Sequence, residues 1–254
     1  MLPLRDANPH PPGFKPIITI ILIIINVVVF FYEVAFTGQF WEFSNERANF
    51  LFFEWGSVPT CISGSSYISL PGQQIPCPEM PFVSLLSSMF LHGGLLHLGG
   101  NMLFLWIFGD NIEQRFGKAK FLGIYLVCGI VAGLSQIVID PLSSIPAVGA
   151  SGAISGILGA YLAMYPRAKI MTFMMMGFFW RMIHIEARWF LPFWLIFQNI
   201  LPFLISGFGV AGGGVAFMAH IGGFLIGLAT GYLYKKSHSS EFTYGTRYGW
   251  RGDS

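Results

Sequence analysis

The chain has 254 residues, 54% of them hydrophobic and 10% charged, with a formal net charge of +2 and a mean hydropathy of +0.63. Soluble domains carry about 25% charged residues, so this is the composition of a membrane protein. A net charge this small, with the basic residues confined to short connections, gives no nucleic-acid footprint. Three cysteines are too few for a disulfide scaffold, and neither zinc-finger spacing nor His-Glu-x-x-His is present.

Residues 1–16 carry five prolines, from Pro3 to Pro16, and are expected to form a mobile tail. The apolar run 17–36 is long enough to span a hydrocarbon core and lacks a signal-peptide cleavage pattern, so it is expected to stay as an anchor. Residues 37–81 form a long connection rich in aromatics (Trp41, Phe43, Phe50, Phe53, Trp55), which suits a partly interfacial position. It holds Cys61 and Cys77, which pair if this side is oxidising and are otherwise two thiols. A second span is predicted over 82–108, followed by a charged turn over 109–118. The third span is predicted over 121–139, and the fourth over 150–165, stopped by Pro166. Residues 168–188 are apolar but broken by Lys169, Arg181, His184, Glu186 and Arg188, so an interfacial segment is expected there. A fifth span over 189–205, a glycine-rich loop over 206–214 and a sixth span over 215–234 complete the pattern, before a polar tail, 235–254.

Six spans put both termini on one side of the membrane. That side then collects Arg5, Lys15, Arg115, Lys118, Lys120, Arg167, Lys169, Arg181, Arg188 and every base after Tyr234, while Arg47 alone lies opposite. By the positive-inside rule both termini are cytoplasmic. The expected fold class is therefore an all-α membrane protein, a six-transmembrane-helix bundle in the cell membrane. Its core covers residues 17–234, with 37–81 as a long outer loop.

Polar groups inside spans are costly and mark function by default. The second span carries His92, His97 and Asn101, the fourth Ser151 and Ser155, and the sixth His220, all in the outer halves of their helices. His97 and Asn101, four apart, share a face. His220, Gly223 and Gly227 line one face of the sixth helix, and Gly152, Gly156 and Gly159 line the fourth, so two backbones can approach closely. Such contact would bring the Ser151 hydroxyl to the His220 imidazole as nucleophile and base. Candidates to stabilise the resulting oxyanion are His97, the Asn101 amide and the Ser151 backbone N–H. No carboxylate lies at the right depth, so the arrangement reads as a Ser-His dyad. Each feature also has a plain packing reading: Gly149-Ala150-Ser151-Gly152 as close helix contact, His220 as a buried histidine, His97 with Asn101 as interhelical glue. His92 is off their face, near the surface, with a loop-packing role. A metal on His92 and His97 lacks carboxylate or cysteine partners, and none is expected.

Taken together, His92-Gly-Gly-Leu-Leu-His97-Leu-Gly-Gly-Asn101, Gly149-Ala-Ser151-Gly152 and Ala219-His220-Ile-Gly-Gly223 with Gly227 resemble the rhomboid intramembrane serine proteases in order and spacing, over about residues 17–234. Glu113, Gly117 and Phe121 after the second helix are also similar. The resemblance implies a rhomboid-like six-helix bundle, with Ser151 as nucleophile, His220 as general base and His97, Asn101 and the Ser151 amide at the oxyanion. His92, Gly149, Gly152, Ser155, Gly223 and Gly227 would support them. It implies hydrolysis in or near the transmembrane segments of membrane-protein substrates, without a cofactor, at a site open to the extracytoplasmic side. The alternative is a rhomboid-like pseudoprotease that only binds transmembrane clients, against which retention of both Ser151 and His220 argues. A small transporter would need an internal repeat and paired intramembrane charges, which are absent from the sequence. Two departures stand out: Ser155 replaces the aromatic residue that often stacks on the imidazole, its hydroxyl being a candidate partner for His220, and no Trp-Arg pair occurs near Val83 and Ser84. Gly207 to Gly214 would form a lid, and the fifth helix, with Trp189, Phe190, Trp194 and Phe197, a lateral gate.

Overall fold

The computed structural model describes residues 1–176, 179–206 and 216–238, and these are mostly helical. In chain order come β1 (Leu2–Asp6), α1 (Ile17–Thr37), α2 (Glu46–Trp55), α3 (Pro59–Ile62) and a hairpin of β2 (Tyr67–Leu70) with β3 (Gln73–Pro76). The stretch Pro81–Phe90 holds α4 (Ser84–Ser87) between two 3-10 turns, followed by α5 (Leu95–Phe116), α6 (Lys118–Ile139) and α7 (Ser151–Met164). The strands β4 (Lys169–Met176) and β5 (Phe179–Glu186) precede α8 (Ala187–Leu195), a π-turn over Ile196–Ile200, α9 (Leu201–Ser206) and α10 (Phe217–Ser237). Among the described residues α1, α6 and α10 are long and apolar enough to cross a membrane, and Pro81–Phe90 with α5 makes a fourth if that bent pair is one span. Their β-branched content is no obstacle to helix, because in lipid every backbone polar group has to be paired within its own segment.

α7 is the centre of the bundle. Residues 152–161 are all buried, as befits a helix that is apolar all round and enclosed by neighbours. Phe108 of α5 meets Tyr161 edge-on at 4.9 Å, and Phe121 and Tyr125 of α6 and Phe190 and Leu191 of α8 complete the core.

Four expectations need correction. The second span does not start at 82 and run straight: Pro81–Phe90 and α5 meet at a bend of 80°. Residues 109–116 are helical rather than a turn, so α5 ends at Phe116 and Gly117, at φ 78°, makes the turn into α6 alone. Residues 1–16 are not wholly a mobile tail, since Leu2–Asp6 pairs antiparallel with β4. The bundle is not wholly all-α, since residues 168–188, expected as an interfacial segment, contain an antiparallel hairpin that extends β1 into a sheet of order β1-β4-β5. The glycine-rich loop and most of the C-terminal tail lie outside the described residues.

That sheet caps the end of the bundle where α1 begins and α7 finishes. Ile170 and Thr172 point inward and are fully buried. The Tyr161 hydroxyl donates to Asp6 Oδ2 at 2.7 Å and accepts from Asn8 Nδ2 at 2.8 Å, tying the N-terminal strand to the last turn of α7. Burial raises the Asp6 carboxyl above its ordinary pKa, and the bond from Tyr161 works against that rise.

Nearby, a helix start that would leave orphan donors is satisfied by a carboxylate from another helix. Ile18 N, Thr19 N and Thr19 Oγ1 donate to Glu113 of α5 at 2.9, 2.8 and 2.8 Å. A carboxylate there also faces the positive end of the α1 dipole. Glu113→Ala is expected to cost about 1–3 kcal/mol for each buried donor left unpaired. Thermal denaturation in detergent checks this, with Glu113→Gln, which keeps one acceptor oxygen, falling between the two.

Candidate active site

Two helices from distant parts of the chain form the site. Along the seam of α7 and α10, Gly223 faces Gly152, Gly227 faces the Gly156 carbonyl, Gly159 faces the Phe224 carbonyl and Gly231 faces Ala160. A Cβ on Gly227 would overlap the Gly156 oxygen, so the backbones approach as only small residues permit. Ser151 opens α7 at the rim of this seam and His220 lies in the first turn of α10.

His220 Nε2 lies 2.6 Å from Ser151 Oγ. On its other side Nδ1 lies 2.5 Å from Asn199 Oδ1, an amide in the π-turn after α8. An amide oxygen only accepts, so Nδ1 carries the proton and Nε2 presents its lone pair to the serine hydroxyl. That is the tautomer a general base requires. The Trp194 ring lies 6.3 Å from the imidazole, centroid to centroid, on the side that α8 supplies.

His97 and Asn101 come from the first turns of α5. His97 Nδ1 accepts from Gly93 N at 3.2 Å, which assigns the ring proton to Nε2 as a free donor. That edge of the ring lies against Gly149, the backbone of which has φ 124° and donates to Ser88 O at 2.8 Å. A side chain at 149 would be strained and would press on the ring, so glycine is required. Asn101 Nδ2 is buried and has no hydrogen-bond partner within the described protein, although its two hydrogens need acceptors. Two unpaired donors therefore lie beside the N-terminus of α7, where backbone N–H groups are also free.

Other sequence-derived residues sit differently from expectation. Ser155 does not reach His220; its hydroxyl donates to Ser151 O at 2.7 Å, one turn back within α7. His92 is not near the surface but fully buried, and its backbone N donates to the Glu33 carboxylate at 3.0 Å. Its ring meets that of His97 edge-on at 5.2 Å, so it packs behind the site rather than in it. Of the four aromatics assigned to the fifth helix, Trp189 and Phe197 face outward, whereas Phe190 is in the core and Trp194 lies against Phe104 of α5 at 5.9 Å. Cys61 and Cys77 are joined in a disulfide that links α3 to the end of the β2–β3 hairpin.

Two residues of the structure are not among those singled out from the sequence. Glu33 is a carboxylate within the first apolar run, and Asn199 is one amide in the fifth. A polar group inside a span was the available clue to both.

A half-buried serine hydroxyl hydrogen-bonded to a correctly tautomerised imidazole, beside unpaired donors at a helix start, has the parts of an acyl-transfer site. The profile of the Rhomboid domain family matches residues 80–237, and the chain belongs to the rhomboid family. It is 29% identical over 163 residues to "Rhomboid protein 1, mitochondrial" of Saccharomyces cerevisiae, covering 61% of this chain and 42% of that one. It is 34% identical over 145 residues to "Rhomboid protease GluP" of Bacillus subtilis, covering 56% and 24%. To "Presenilin-associated rhomboid-like protein, mitochondrial" of Mus musculus it is 30% identical over 106 residues, covering 41% and 27%. The chain thus spans less than half the length of these relatives.

Proposed function

We propose that this protein is an intramembrane serine endopeptidase that cleaves membrane proteins in or near their transmembrane segments. The observation that carries the reading is the 2.6 Å contact between His220 Nε2 and Ser151 Oγ. As Ser151 Oγ attacks the scissile carbonyl carbon, its proton passes to His220 Nε2. The carbonyl oxygen takes the negative charge and turns toward His97 Nε2–H, Asn101 Nδ2 and the Ser151 amide. The imidazolium then gives its proton to the leaving nitrogen as the C–N bond breaks, leaving an acyl ester on Ser151. Water, deprotonated by the same imidazole, attacks the ester and returns the serine. The cycle needs no cofactor.

The bundle reads as six spans, with α8, the π-turn and α9 as the fifth and α7 as a short fourth. Both termini then lie on the basic, cytoplasmic side, and Ser151 faces the extracytoplasmic side of a cell membrane. The Cys61–Cys77 disulfide supports that orientation, because disulfides persist on the oxidising side of a membrane. Substrates are transmembrane proteins arriving through the lipid, past the Trp194–Phe104 contact between the second and fifth spans. Attack needs an extended chain, so segments loosened by Gly or Pro are favoured.

The test is cleavage of a panel of transmembrane reporters in liposomes by the native chain, Ser151→Ala and His220→Ala. Equal cleavage by all three would sink the proposal, and tight binding of reporters without cleavage by any would favour a client-binding role. In the same assay Asn101→Ala, which removes one donor to the oxyanion, is expected to lower kcat by about 10²-fold. KM should change little, since the charge it meets exists only in the transition state.

A further inference from the structure

We infer that Asn199 is the third member of the site, a positioning residue that holds the His220 imidazole in its catalytic tautomer and orientation. The inference rests on the proteolytic reading above, and it replaces a two-residue site by a Ser151-His220-Asn199 triad in which the amide positions the imidazole without taking a proton.

Three observations converge on it. Asn199 is 1% exposed, in a span where a buried polar group is costly unless it has a partner; its oxygen is on His220 Nδ1, and its Nδ2 has no partner within the described residues. It also lies in a π-turn, with Leu201 N donating back to Ile196 O. Pro202 just beyond has no N–H, and its ring would crowd the Gln198 carbonyl four residues back, so a widened turn before it has a local cause. Such turns re-aim side chains and recur at functional sites. Here Trp194 and Asn199, five apart and poorly aligned on an ideal α-helix, both reach His220.

The third observation is at position 155. With Ser155 Oγ turned back to Ser151 O, the hydrogen bond α7 makes to the imidazole, among the described residues, comes from Ser151, the group to be deprotonated. The ring's remaining restraints come from the fifth helix: the amide on Nδ1 and the Trp194 ring beside it. Without the amide, the proton is free to move to Nε2, where it would face Ser151 Oγ and leave no lone pair to accept the hydroxyl proton.

The experiment uses the full chain with ¹⁵N-labelled histidine. Nitrogen NMR of the wild type is expected to report the Nδ1–H tautomer of His220, and Asn199→Ala is expected to populate Nε2–H. With a transmembrane reporter in liposomes, Asn199→Ala is expected to lower kcat by about 10²-fold, at the low end of what a positioned base contributes, with KM unchanged. Asn199→Asp, which keeps an acceptor of the same reach, is expected to recover most of that loss. Unfolding temperatures of both variants within a few degrees of the wild type would separate the effect from simple destabilisation. An unaltered tautomer in Asn199→Ala, an unaltered kcat, or equal losses in the Ala and Asp variants would each overturn the assignment. A wild-type chain that cleaves no reporter would instead sink the proteolytic reading, and the NMR comparison would still decide what Asn199 does to His220.

Discussion

Ser151→Ala is expected to abolish reporter cleavage, with kcat falling by about 10⁶-fold, the order seen when the nucleophile of a serine protease is removed. The loss is this large because the serine and its base act as one unit, and what remains is binding and oxyanion stabilisation without a group to attack. Folding should be untouched. The substitution deletes one half-buried oxygen at the start of α7, and alanine is the better helix former. Labelling by a serine-directed fluorophosphonate should vanish in parallel, while the unfolding temperature stays at the wild-type value. Undiminished labelling of the variant would assign the nucleophile to another residue.

Gly227→Val should remove activity by a different route. Its Cβ would run into the Gly156 carbonyl, which is backbone and has no rotamer to change, so α10 has to move off α7. Overpacking of this kind costs about 3 kcal/mol or more when neither side can yield. Displacing α10 carries His220 away from Ser151, and the 2.6 Å contact is lost with it. Fluorophosphonate labelling and thermal stability are therefore expected to fall together. Gly99→Ala is the control, since nothing lies within 4 Å of the added carbon and both measurements should stay as they were. A Gly227→Val protein of normal stability and labelling would mean that the seam does not set the position of the imidazole.

Much of this arrangement is written in residue spacing. The glycines at 152, 156 and 159 and at 223 and 227 recur at helical periods, and they do face one another, so Ser151 and His220 could be paired from the sequence. His97 and Asn101, four apart, likewise share the face that meets Gly149. What spacing does not carry is where a helix departs from ideal geometry. Asn199 has no periodic partner until the π-turn rotates it toward the histidine, and the 80° bend before α5 depends on how Gly94 packs against the backbone of Trp41. The hairpin over β4 and β5 is hidden for another reason. Both its faces are largely apolar, one packed on the bundle and the other carrying Met175, Trp180 and Met182, so no clean alternation marks it as strand. The burial of His92 is not legible either, since the Glu33 carboxylate that accepts from its backbone N–H sits on a different helix, which no local pattern foretells.

On the proteolytic reading, the length of α7 has a bearing on where a client would be cut. Its 14 residues rise about 21 Å, some 9 Å less than a hydrocarbon layer of about 30 Å. Its lower end is moored to the N-terminal strand through Tyr161, so on the proposed orientation the shortfall falls at the upper end, and the nucleophile hangs below the outer surface. On that reading the helix would work as a ruler. Clients whose apolar segments begin higher or lower in the bilayer would be severed at different residues of their own sequences, but at one common depth.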